Sequence, residues 1–201
     1  MQAKDRFLKK LINFKTFTIL SIAIFFSTGL VGDDLGSKID KYIKNLNYFS
    51  SKFIQSNEIS LEEGRIYIKE NKIRLDYFLP HRTLILSKNK GVYINHELKE
   101  EEFFSTKNNI VGVFYNIFLD KNYFSKLAFK KKDGEIVFEN KITINSADIN
   151  LKIYFEYKPL LLRKIIAESK DEVISISFNE HNYNSILEDS FFSFVPIYLD
   201  W

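Results

Sequence analysis

Gly64-Arg65-Ile66-Tyr67-Ile68-Lys69 is followed, after Glu70-Asn71, by Lys72-Ile73-Arg74-Leu75-Asp76-Tyr77-Phe78, and in both runs apolar and polar side chains alternate. A period of two puts alternate side chains on one face of a strand. Thr83-Leu84-Ile85-Leu86, Gly91-Val92-Tyr93-Ile94 and the segment Leu98 to Phe104 continue the pattern, punctuated by Asn, Lys, Gly and Pro. Together these five runs predict an antiparallel sheet with one apolar face. Such a face has to be covered, either by a packed core or by a hydrophobic ligand, and the function of the chain turns on which.

Working outward, Asp33-Asp34 reads as an acidic cap for a helix over 35–48, with Leu35, Ile39, Tyr42, Ile43 and Leu46 forming an apolar stripe. Phe53-Ile54-Gln55 opens the sheet. Between Asn108 and Asp120 the alternation stops, and Ile110, Val111, Val113, Phe114, Ile117, Phe118 and Leu119 take helical spacing. That helix is too apolar for a surface helix. It is either a plug in the core or a lid over a cavity, with Ile110, Val113, Phe114, Ile117 and Phe118 as the lid residues. Alternation returns in Glu135 to Phe138, Ile142 to Asn145, Leu151 to Tyr157, Leu161 to Ala167 and Val173 to Phe178. Ten or eleven strands in one domain favour curling into a barrel or half-barrel, so the expected class is mainly β with added helices.

The amino terminus carries Lys4, Arg6, Lys9, Lys10 and Lys15 ahead of a 15-residue apolar run, Phe17 to Val31. A bilayer-spanning helix needs about 20 residues, so 1–31 is expected to be a secretory signal, cleaved or kept as an anchor, followed by one domain over 33–201. Without residues 1–30 the chain has 24 bases against 25 acids, so the basic balance of the whole reports export and no nucleic-acid partner. Lys130-Lys131-Lys132 reads as a solvated turn before Asp133-Gly134. The chain has no cysteine, hence no disulfide and no thiol to acylate, and stability must come from burial.

Nothing in the sequence supports catalysis. His81, His96 and His181 lack the spacing of a metal site and read as surface or turn residues, and the acidic runs Glu62-Glu63 and Glu100-Glu101-Glu102 read as solvated hairpin ends. No phosphate loop or nucleophile elbow occurs. No enzyme, metal or cofactor is expected.

In the order leader, helix, Phe53-Ile54-Gln55, Gly64 to Lys69, Ile73 to Tyr77, the Ser87 to Ile94 hairpin and Asp189-Ser190-Phe191-Phe192-Ser193-Phe194, the chain resembles the LolA family of periplasmic outer-membrane lipoprotein carriers. The resemblance implies a curved, incomplete antiparallel β-barrel closed at one mouth by helices. It implies a monomeric periplasmic chaperone that takes acylated lipoproteins from an inner-membrane ABC-type release complex and hands them on at the outer membrane, by way of a receptor where one exists. The cavity would be lined by Ile66, Ile68, Ile73, Leu75, Tyr77, Leu84, Leu86, Val92 and Ile94. The family's lid-contacting arginine is missing from the shortened Glu70-Asn71-Lys72 turn, which leaves Lys69 or Lys72 to substitute without the planar fork of Arg. Asn89 stands at the hairpin position where the family has Gly, an exchange that the tolerance of Asn for the left-handed region allows. A second reading keeps the half-barrel but makes the chain a sensor of lipid or mislocalised lipoprotein, and a third fills the core and leaves a purely structural domain.

Overall fold

The computed structural model describes residues 32–195, so the expected leader and the last six residues lie outside it. The chain divides into two compact units, 1–35 and 36–201. Of the first, only the opening turn of helix α1 (Gly32–Lys44) is described; the sheet and its cover belong to the second. The helix starts three residues ahead of the position expected from its acidic pair. It stops at Lys44 rather than at Tyr48, which has left the helical region with φ 59°.

Eleven strands come after it: β1 (Phe49–Ser56), β2 (Leu61–Lys69), β3 (Lys72–Tyr77), β4 (Arg82–Ser87), β5 (Lys90–Asn95), β6 (Glu100–Phe104), β7 (Phe129–Lys132), β8 (Glu135–Ile144), β9 (Ala147–Glu156), β10 (Leu161–Glu168) and β11 (Val173–Asn182). They form one antiparallel, curved sheet in the order β6-β5-β4-β3-β2-β1-β11-β10-β9-β8-β7, which does not close into a barrel. Two hairpin meanders are thus joined at β1 and β11. Because the chain leaves the first meander at one edge and enters the second at the other, residues 105–128 must cross the sheet. That crossing contains helix α2 (Ile110–Leu119) and a short 3-10 turn at Phe124–Lys126. Topology, then, is what lays the apolar helix over the apolar face.

Cross-strand partners share a face of the sheet. Following the registers from Phe53↔Gly64 through Ile66↔Leu75 and Leu75↔Leu84 defines one face, and Phe53↔Phe178, Ile165↔Ile176 and Ile153↔Phe138 carry it into the second meander. This face is covered by α1, the crossing segment and α2. Ile39, Ile43 and Leu46 are buried on the α1 side. Phe124 packs edge-on against Phe138 and Phe155 at centroid distances of 5.0 and 5.2 Å. Asp40 in α1 holds the crossing in place, its carboxylate accepting from the backbone N–H groups of Phe124 (2.8 Å) and Ser125 (2.9 Å). A buried carboxylate bonded in this way meets its need for partners locally.

Two sequence expectations are corrected by the strands. Lys130-Lys131-Lys132 is no turn but the exposed edge strand β7, and only Asp133-Gly134 turns. Three lysines on an unpaired edge discourage another strand from adding to it. The runs at 135–138 and 142–145 belong to a single ten-residue strand, β8: Glu139 and Lys141 point to the solvent face, while Asn140 stays on the covered face opposite Leu151.

Candidate functional site

Between the sheet and α2 lies a cavity of about 250 Å³. Its wall is Leu75, Tyr77 and Leu84 from the first meander, Ile110, Val111, Val113, Phe114 and Ile117 from α2, and Gln55, Leu151, Ile165, Ala167, Ile174 and Ile176 from β1 and the second meander. The only polar side chains on that wall are Gln55 and Tyr77, and the Tyr77 hydroxyl donates to Gln55 Oε1 at 3.0 Å. Burial pushes the Tyr77 phenol up to about 12, so it stays a donor. Apart from the Gln55 amide N–H groups, what remains is a hydrocarbon surface.

Helix α2 is seated at both ends. Asn109 caps it, its Oδ1 accepting from Gly112 N–H at 2.8 Å. A Cβ at Gly112 would overlap the Thr106 carbonyl oxygen, so only glycine lets the first turn approach that strand exit. Farther along, the Tyr115 hydroxyl donates to the Asn71 carbonyl at 3.0 Å, tying α2 to the β2–β3 turn. Phe118 is buried against Phe114 and Phe178, at 5.0 and 6.1 Å.

The expected site residues divide into three groups. Leu75, Tyr77, Leu84, Ile110, Val113, Phe114 and Ile117 come together on the cavity wall. Ile66, Ile68, Ile73 and Leu86 lie on the same face but are fully packed, and Phe118 anchors α2 instead of lining the hollow. Val92 and Ile94 do not belong with them. The registers Leu84↔Tyr93 and Leu86↔Gly91 turn Tyr93 and Gly91 toward the cavity side and send Val92 and Ile94 to the opposite face. There, with Ile85, they pack under Phe194. The cause is that β4 and β5 are apolar on both faces, so alternation by itself cannot say which set faces inward.

Sequence reasoning missed the second meander's share, Leu151, Ile165, Ala167, Ile174 and Ile176. The signal was present, since those runs alternate as plainly as the first five.

The opposite face of β1–β5 is crossed by the carboxyl-terminal strap, residues 183–195. Lys69 Nζ donates to the Leu187 carbonyl (2.8 Å) and pairs with Asp189 (2.6 Å). That pairing raises the Lys69 pKa and lowers that of Asp189. Arg74 stacks on the Phe191 ring at 4.1 Å, donates to the Phe191 carbonyl at 2.7 Å, and pairs with Asp76 at 2.8 Å. Asp76 also accepts from Thr83 Oγ1, which bonds His96 Nε2 at 2.9 Å. His96 is therefore buried beneath the strap and is not the surface or turn residue expected. Lys69 faces the strap as well, and the hydrogen bond that ties α2 to the β2–β3 turn is the one from Tyr115 to Asn71. Nor does Asn89 use the left-handed region, for it is absent from the residues with positive φ; Glu70 does so in the neighbouring turn, at φ 51°.

No family model and no curated protein matches the chain. Among solved structures it is similar to MucB in the complex of Pseudomonas aeruginosa MucA/MucB, with 9% identity and a TM-score of 0.46 over 78% of this chain and 60% of that one. Against MucB in complex with MucA(peri) the values are 10%, 0.44, 81% and 60%. Against PNGF-II in the C2 space group they are 15%, 0.37, 73% and 29%. The chain spans about three-fifths of the length of the MucB chains it matches.

Proposed function

We propose that this chain is a non-catalytic carrier of the periplasm that shelters the acyl chains of lipoproteins between its open sheet and α2. It would take them from an inner-membrane release complex and pass them to the outer membrane. The observation that carries the reading is the cavity itself, walled by hydrocarbon, with the Tyr77 hydroxyl bonded to Gln55. Each methylene removed from water is worth about 0.8 kcal/mol, so an acylated anchor needs such a wall to cross an aqueous gap. Release is needed as well, and many weak apolar contacts permit it better than a few strong polar ones. At roughly 30 Å³ per methylene-sized group, the present hollow takes only about eight of them. On the carrier reading, uptake of a whole anchor therefore displaces α2.

The test is transfer. Full-length chain incubated with lipoprotein-bearing inner membranes, the release complex and ATP should recover acylated lipoproteins in the soluble fraction and surrender them to acceptor outer membranes. Phe114→Glu, a change on the half-buried lining side of α2, should abolish recovery. Undiminished recovery by that variant, or cargo that is bound but never surrendered, would overturn the carrier reading.

A further inference from the structure

Of the eleven large apolar side chains exposed among the described residues, six gather at one end of the sheet. Antiparallel order places the turns at 57–60, 78–81, 96–99, 145–146 and 169–172 at one end of the sheet, since Ser56 pairs with both Leu61 and Ser175 and Glu168 with both Asn150 and Val173. At these tips, or one residue from them, stand Ile59 (94% exposed), Leu61, Phe78, Leu79 (73%), Leu98 (64%) and Val173. The turns of the other end, at 70–71, 88–89, 133–134 and 157–160, carry none of the exposed set. Near that end Tyr48 and Tyr183 are engaged by Lys69 and Phe49, and the remaining exposed members of the set are Phe103 on edge strand β6 and Ile186 and Val195 on the strap.

Three of the tips share a second property, and the tip at 145–146 is the polar pair Asn145-Ser146. Asn57 Oδ1 accepts from the backbone N–H groups of Ile59 and Ser60, Asn95 Oδ1 from those of Glu97 and Leu98, and Ser169 Oγ from those of Asp171 and Glu172. The turn at 78–81 contains Pro80, which has no N–H to satisfy. Tips whose amides are bonded internally can leave water without the cost of orphaned donors. The cavity occupies the same end: Gln55, Tyr77, Ala167 and Ile174 are each last, second or next to last in their strands.

We propose that this end of the sheet docks on the surface of an electrically neutral lipid bilayer, with Ile59, Leu79 and Leu98 entering the boundary between headgroups and acyl chains. Binding of this kind grows with the apolar area buried and with charge attraction to the lipid. The five turns hold Glu58, Glu97, Asp171 and Glu172 against Lys99 and Lys170, an acidic balance that disfavours anionic lipid. Docking so places the cavity against the source or destination of an acyl chain. Its purpose rests on the carrier reading, but its test needs no cargo, so either can fail alone.

The chain has no cysteine, so single labelling sites are available at Leu79→Cys, Leu98→Cys and, at the far end, Asn89→Cys. Each full-length variant would carry an environment-sensitive fluorophore and be mixed with phosphatidylcholine–phosphatidylethanolamine vesicles containing a nitroxide lipid. Labels at 79 and 98 should shift to the blue and be quenched, and the label at 89 should not. Quenching at 98 should fall in an Ile59→Ser, Leu79→Ser background and fall as phosphatidylglycerol is added. Water-like emission at 79 and 98, or equal quenching at 89 through the leader alone, would overturn the proposal. Quenching that grows with phosphatidylglycerol would overturn the choice of a neutral surface.

Discussion

The hydroxyl of Tyr115 in α2 donates to the backbone carbonyl of Asn71 in the β2–β3 turn at 3.0 Å, and this bond joins the covering helix to the sheet it covers. Tyr115→Phe keeps the ring and removes the bond, for a loss of about 1 kcal/mol. Amide exchange across 110–119 should quicken while exchange in β1 and β2 stays unchanged, as mass spectrometry would show. Unchanged exchange in α2 would mean that the bond does not govern opening.

The seat of α2 is steric at its other end. Gly112→Ala would drive a methyl group into the Thr106 carbonyl, a clash that backbone has to absorb. A cost of about 1–3 kcal/mol is expected, visible as a lower urea midpoint with an unchanged slope.

Filling the hollow should separate binding from folding. Ala167 lies half-buried on the cavity wall near the sheet's end. Ala167→Trp should lower the affinity for a fluorescent fatty-acid probe at least tenfold with little change in thermal midpoint. Full affinity in that variant would place the probe elsewhere.

On the opposite face, Arg74 joins Asp76 to the strap. Arg74→Ala leaves a half-buried carboxylate with Thr83 and frees Phe191, at a cost of about 2 kcal/mol. Arg74→Lys should restore only part of it, because Lys cannot form the fork and the stack together. Limited proteolysis after residue 185 reads the loosening.

Burial holds the imidazoles of His96 and His181 below the ordinary value of 6.5. The unfolded chain then binds more protons than the folded one in the window between the lowered values and 6.5. Stability is whole above pH 6.5 and declines as the pH falls through and below it. Urea midpoints at pH 7.5 and 5.5 should differ in that sense, by less in a His96→Gln variant.

Much of this architecture was legible in the sequence. Period-two runs and turn residues placed the strands, and the apolar stretch at 110–119 declared a covered helix. What could not be read was sidedness. In β2 and β3 polar partners such as Arg65, Arg74 and Asp76 mark the outer face, whereas in Thr83-Leu84-Ile85-Leu86 and Gly91-Val92-Tyr93-Ile94 both faces are covered and the mark vanishes. The latch was hidden for another reason. The hydrogen bond from Tyr115 to Asn71 spans 44 residues and ends on a backbone carbonyl, which has no sequence signature.

The strap covers only the first meander, whose β4 and β5 are buried on both sides, whereas the outward residues of β8 and β9, such as Glu139, Lys141, Asp148 and Asn150, meet water. One wing of the sheet is therefore a three-ply laminate and the other a single veneer backed on one side only. Any widening that admits a larger guest should bend the thin wing about the β1–β11 seam, while the thick wing keeps its shape.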